Sequence, residues 1–133
     1  MLLRLTPRAA AASDAAAILV FVTIGLLSHE HGLHATGYAR DAIPFLGCWF
    51  AAALGFRLYS RPSFARLAAT WAVGVPAAVL VRALVLGRSL GRKEAAFLIV
   101  SLVTVGVLVT AFRLVLTLLS SRARPARSGS RRS

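Results

Sequence analysis

Cysteine is almost absent. The chain has one, Cys48, which excludes an intrachain disulfide framework and a multi-cysteine metal site. Acidic residues are scarce as well: four, against sixteen basic residues, for a net charge of +12. Charged residues of both signs make up only 15% of the sequence, where average soluble domains hold about 25%. No closely spaced carboxylate pair, glycine-rich phosphate loop or nucleophile elbow is present, so no catalytic constellation and no cofactor site is expected. Ser28 and His29 are neighbours, but the pair lacks the third, orienting group of a triad. What remains is apolar: 58% of the 133 residues are hydrophobic, too many for a disordered chain, which cannot bury enough apolar surface to fold. These proportions point to a small integral membrane protein.

A bilayer core about 30 Å thick requires roughly 20 apolar residues per spanning helix. Four stretches qualify, at about residues 9–28, 41–59, 65–87 and 95–119. The runs are too continuous for a membrane barrel, which alternates over ~10-residue segments. Backbone groups in lipid must be satisfied within the segment, so the spans are expected to be helices. Short connections make sequential helices antiparallel neighbours. The fold class is therefore read as all-α, a four-helix transmembrane bundle. A short basic segment (1–8) precedes the membrane domain (9–119), and a basic tail (120–133) follows it. The tail is expected to be disordered, with arginines that suit anionic lipid headgroups; lacking interleaved aromatics, it is not read as a nucleic-acid binder. The first span is too long for the apolar core of a signal peptide, contains Asp14, and is expected to stay uncleaved.

Orientation follows from the arginines. Arg4, Arg8, Arg57, Arg61, Arg66, Arg122, Arg124, Arg127, Arg131 and Arg132 fall on one side, and Arg40, Arg88, Arg92 and Lys93 on the other. Positive charge accumulates on the cytoplasmic side, so both termini are expected there, in the cell membrane.

Three charged residues lie inside the spans: Asp14, Arg82 and Arg113. Each costs ~2.5–3.5 kcal/mol at mid-membrane on insertion scales. Asp14 and Arg113 fall at similar depths, roughly 7–8 Å and 9 Å from the same face at 1.5 Å per residue, and are expected to pair. Arg82 is expected to snorkel, to pair with Asp41 or Glu94, or to hold an anionic ligand. Small residues mark helix-packing candidates: Gly25, the stripe Gly47, Ala51 and Gly55, then Gly74 and Gly106. The stripe also suits a homo-oligomer or a larger membrane partner. Pro76 leaves the Ala72 carbonyl unpaired in mid-span and reads as a kink that gives shape; Pro44 is placed near the start of span two. Tyr38 and Tyr59 read as interfacial anchors, and Trp49 as packing.

His29, His31 and His34 lie within six residues of one another and offer zinc- or copper-type ligands. The metalloprotease spacing fails, because position 33 is Leu33, and Gly32 favours a turn. A solvated loop is the plainer reading, with a pH-sensitive loop or a metal site as alternatives.

The run from Ser13-Asp14 through Val20-Phe21-Val22-Thr23-Ile24-Gly25 to Ser28-His29 resembles the opening of the domain of unknown function 3054 family. The resemblance continues through Ala42-Ile43-Pro44-Phe45-Leu46-Gly47, Thr70-Trp71 with Arg82 beyond, and Phe112-Arg113, covering about residues 13–119. It implies a small four-helix membrane protein of bacteria or archaea and carries no activity. Asp14, Gly25, Ser28, His29, Pro44, Phe45, Trp71, Arg82 and Arg113 match; His31, His34 and Pro76 do not. A structural or accessory membrane component is the favoured reading. A transporter or channel subunit using Asp14 and Arg113 is the alternative, and a membrane enzyme the least favoured.

Overall fold

Pro7 opens the first helix, at a position where its missing N–H costs nothing. Thr6 precedes it and accepts the amide of Ala9 through Oγ1 at 3.2 Å. The computed structural model describes residues 5–28 and 35–123. They form four helices: α1 (Pro7–Ser28), α2 (Ala35–Gly55), α3 (Phe64–Val85) and α4 (Arg92–Ala123). The loop with His29, His31 and His34 lies outside the described residues, as does the tail beyond residue 123. Residues 120–123, read as the start of the tail, belong to α4.

α1 packs against α2 and α4, and α3 against α2 and α4. Among the described residues the diagonal pairs make no close backbone approach, so the helices form a ring of four. α1, α3 and α4 are each long and apolar enough to cross a membrane. The expectation of four spans is thus met by three helices on this measure; α2 carries Arg40 and Asp41 in its first third and falls short. α2 also begins earlier and ends earlier than its predicted span, because the polar stretch before Asp41 is already helical. Pro44 therefore lies well inside α2 rather than near its start, and both α2 and α3 run through their prolines without a break.

Two turns set the ends of the middle helices. After α3, Gly87 adopts φ +64°, and the amides of Gly87 and Arg88 return to the carbonyls of Leu84 (3.2 Å) and Ala83 (2.9 Å). This is a Schellman closure, with glycine where left-handed backbone is needed. α2 ends the same way, but Arg57 occupies the left-handed position at φ 55°. Its amide bonds Leu54 at 3.2 Å, that of Leu58 bonds Ala53 at 2.9 Å, and the Leu58 side chain is buried beneath the turn. The chain then turns into α3, where Ser63 caps the helix by accepting the Arg66 amide at 3.1 Å.

The core is aromatic at its centre. Phe21 and Phe45 meet at a tilt of 59° with ring centroids 5.0 Å apart, and Phe97 meets Phe45 edge-on at 6.4 Å. Trp49, Ile18, Val75 and Val105 are buried around them. The outer surface is apolar too: Ile43 and Leu54 of α2, Leu84 of α3, and Ile99 and Val107 of α4 are exposed. Soluble proteins rarely expose contiguous apolar patches beyond a few hundred Å², and this many exposed apolar side chains is compatible with a membrane protein.

Candidate functional site

α4 carries a column of inward residues, Glu94, Ser101, Val105, Val109, Arg113 and Thr117, three or four residues apart except for one longer step. Most of its remaining positions are apolar, so Arg113 is held among the helices rather than at the surface. Its guanidinium meets Asp14 of α1 in a two-point contact: Nε donates to Oδ1 at 2.9 Å and Nη2 donates to Oδ2 at 2.7 Å. Both residues are almost wholly buried, Asp14 at 0% and Arg113 at 1% exposure.

Two further donors complete the carboxylate. The Tyr59 hydroxyl donates to Oδ2 at 2.7 Å, and the Trp49 indole Nε1 donates to Oδ2 at 3.2 Å. Trp49 Nε1 also lies 3.3 Å from the Tyr59 oxygen. Four hydrogen bonds thus converge on Asp14, three on Oδ2 and one on Oδ1. They come from α2, from the turn that follows it, and from α4, so the one carboxylate ties three parts of the chain together. A two-point arginine contact is the stronger, geometrically specific form of the charge-assisted bond. Thr117 caps the arrangement locally by donating to the Arg113 carbonyl at 2.7 Å.

A second polar layer lies at the opposite ends of these helices. Arg82 of α3 donates from Nε to Asp41 Oδ1 of α2 at 2.8 Å, and its guanidinium lies 4.5 Å from the centre of the Phe97 ring. Of the partners considered for Arg82, Asp41 is the one it reaches. Glu94 sits instead 3.6 Å from Arg88, and its Oε2 is buried without a hydrogen-bond partner among the described residues. Each of the three charged residues expected within spans therefore has a counter-ion in the chain.

The small residues divide into two groups. A Cβ on Gly74 would sit 3.4 Å from the Trp49 Cα and 3.5 Å from the Cys48 carbonyl, so α3 rides directly on the α2 backbone there. A Cβ on Gly106 would sit 3.0 Å from Trp71 Nε1, whose N–H donates to the Leu102 carbonyl at 2.8 Å. Gly25, Gly47 and Gly55 would meet nothing within 4 Å, and Ala51 is exposed. These four were expected to pack helices; Gly47, Ala51 and Gly55 lie on an exposed face of α2, whereas Gly25 is half-buried on α1 without a close neighbour among the described residues.

Both tyrosines read as interfacial anchors turn inward. Tyr59 binds Asp14, and the Tyr38 hydroxyl lies 3.2 Å from the Leu19 carbonyl and 3.3 Å from Thr23 Oγ1, joining α2 to α1. The roles of Trp49 and Tyr59 at the carboxylate were not read from the sequence. An aromatic with a polar edge ten residues from another was the available signal, but only the turn at Arg57 brings Tyr59 back under α1. The histidine metal candidates lie outside the described residues. Among the described residues no group of three His, Cys, Asp or Glu side chains is placed to hold a metal.

A family model described as "Protein of unknown function (DUF3054)" matches residues 11–116, which contain Asp14, Trp49, Tyr59 and Arg113 as well as Asp41 and Arg82. No curated protein and no solved structure matches the chain. The matched segment is most of the sequence, and the chain belongs to that family.

Proposed function

We propose that this family member is a non-enzymatic accessory component of the cell membrane, a clasped bundle that acts through its outer surface. In this reading all four helices span, neighbours run antiparallel, and both ends lie on the cytoplasmic side. The ion pairs support the antiparallel order, since the start of α1 meets the end of α4, and the start of α2 meets the end of α3. They also support α2 as a span, because Asp41 enters with its charge offset by Arg82. Reporter fusions at each end and in the turns at Arg61 and Arg88 test the orientation; an active periplasmic reporter at either end sinks it.

The observation that carries the functional reading is the internal engagement of Asp14 through both oxygens. A carboxylate that takes up and releases cargo has to let go of its internal donors in one state. Here four internal donors occupy the carboxylate, and burial makes their loss expensive. The partners that fit are lipid, a second copy, or a larger membrane protein, with anionic headgroups at the basic tail. A second reading, a transporter or channel subunit, is favoured by the buried hydroxyls of Ser13 and Ser101, which have no partner among the described residues. Liposome flux separates the two. Proton or ion flux that requires Asp14 would establish the second reading. Absence of flux, together with a cross-linked membrane partner recovered from cells, would establish the first.

A further inference from the structure

α3 and α4 touch closely where Trp71 bonds the Leu102 carbonyl, and from there toward the ends bearing Phe64 and Leu114 they part around an apolar groove of about 700 Å³. Phe64, Leu67 and Trp71 form one wall, Gly106, Thr110 and Leu114 the other, and an edge of Trp49 the floor. We propose that this groove binds an anionic phospholipid, with an acyl chain along it and the phosphate at the arginines of the turn before α3.

Three features select that occupant. The first is length. Leu102 to Leu114 is twelve residues of helix, about 18 Å at 1.5 Å per residue, against about 15 Å for half of a 30 Å hydrocarbon core. The groove therefore matches one leaflet, closed at mid-membrane by the Trp71–Leu102 contact. The second is chemistry: the lining is apolar except for Thr110 and the edges of two indoles, and its volume falls in the roughly 300–1,000 Å³ range of small-molecule sites. The third is charge. Arg57 and Arg61 are exposed in the turn leading to Phe64, and Arg66 follows one helical step later, with Nη1 on the Phe56 carbonyl at 3.1 Å. No acidic residue lies between Asp41 and Glu94, so nothing in this stretch neutralises them. Each arginine near an anionic surface gains ~1 kcal/mol. A zwitterionic lipid would fill the groove but bring its own cation to the arginines, and a second copy's apolar helix would leave them unused.

The proposal rests on the membrane reading above, and the test separates the two. Protein that sodium carbonate strips from membranes refutes the membrane reading itself. For protein that stays embedded, native mass spectrometry of the purified full chain, titrated with phosphatidylglycerol or phosphatidylcholine, reads the groove. We expect one phosphatidylglycerol to be retained per chain, at least tenfold tighter than phosphatidylcholine. Ala111→Trp, which obstructs the groove, should abolish retention of both lipids. Val115→Trp, which puts the same side chain at an exposed position outside the groove, should not. Arg57→Gln/Arg61→Gln should remove the preference and leave weak binding of either lipid. Equal retention of both lipids by the wild-type chain, unchanged retention in Ala111→Trp, or a dimer whose groove excludes lipid would each overturn the proposal.

Discussion

Replacing Asp14 by Asn changes few atoms and tests the clasp directly. The amide keeps one acceptor oxygen and presents an NH2 group in place of the other. With the oxygen left facing Tyr59 and Trp49, the nitrogen faces Arg113 Nε, donor against donor, at the present 2.9 Å. The guanidinium is then a buried charge without a counter-ion. Breaking a buried pair from one side costs about 3–5 kcal/mol. Arg113→Gln costs a similar amount, since it leaves a buried carboxylate with only Tyr59 and Trp49. If the two losses were independent, the double variant would lose about 6–10 kcal/mol, which consumes most or all of an ordinary stability of about 5–15 kcal/mol. The double variant instead removes both charges and leaves two amides able to bond each other. We expect it to lose about 4–7 kcal/mol, a coupling of about 2–3 kcal/mol, at the upper end of what neighbouring residues show.

The assay is unfolding by dodecyl sulfate in mixed micelles, followed by far-ultraviolet circular dichroism and indole fluorescence. In cells the same coupling should appear as accumulation, with Asp14→Asn depleted and Asp14→Asn/Arg113→Gln partly restored. A coupling near the ~0.6 kcal/mol average of interhelical hydrogen bonds in membrane bundles would refute the clasp as an ion pair.

Tyr59→Phe removes one donor to the carboxylate and leaves the charge pair. We expect a loss of about 1.5–3 kcal/mol, the range for hydrogen bonds to charged groups, readable in the same titration. Arg57→Gly should raise stability by about 0.5–1 kcal/mol, since a non-glycine residue at positive φ costs about 1–2 kcal/mol and part of the relief is lost to the unfolded chain's freedom. A lower unfolding midpoint for this variant would contradict the turn at the end of α2. Gly74→Leu should cost about 1–3 kcal/mol by driving α3 off the α2 backbone, whereas Gly55→Leu should shift the midpoint little. Comparable losses at both positions would mean that α2 and α3 pack otherwise.

Four helices were legible because the sequence signal in lipid is mainly composition and length, which is strongest in α1, α3 and α4; α2, with its polar start, was placed six residues late. Asp14 and Arg113 were legible as level with each other, since rise per residue converts sequence position into height without any knowledge of the neighbours. Azimuth was the information missing. Spacing groups Gly47, Ala51 and Gly55 on one face, but not which way that face turns; it points away from α1 and α3, whereas Gly74 meets α2. Tyr59 was misplaced for a related reason. Its assignment assumed that α2 continued to the basic turn, and no glycine marks the point where the backbone goes left-handed at Arg57.

The same turn links the two halves of the molecule that the proposals address. Arg57 directs Leu58 into the core and returns Tyr59 to Asp14, while leaving its own guanidinium exposed beside Arg61. Trp49 spans the same division from the other side, with its N–H on the carboxylate and an edge at the floor of the α3–α4 groove. Lipid in the groove would press on the residue that holds the clasp, and a broken clasp would release the floor. Binding to the folded state alone stabilises it by mass action. The Asp14→Asn chain should therefore gain less from phosphatidylglycerol than the wild type does, with a smaller upward shift of its unfolding midpoint at the same lipid concentration. Equal shifts in the two chains would separate groove and clasp into independent features of one bundle.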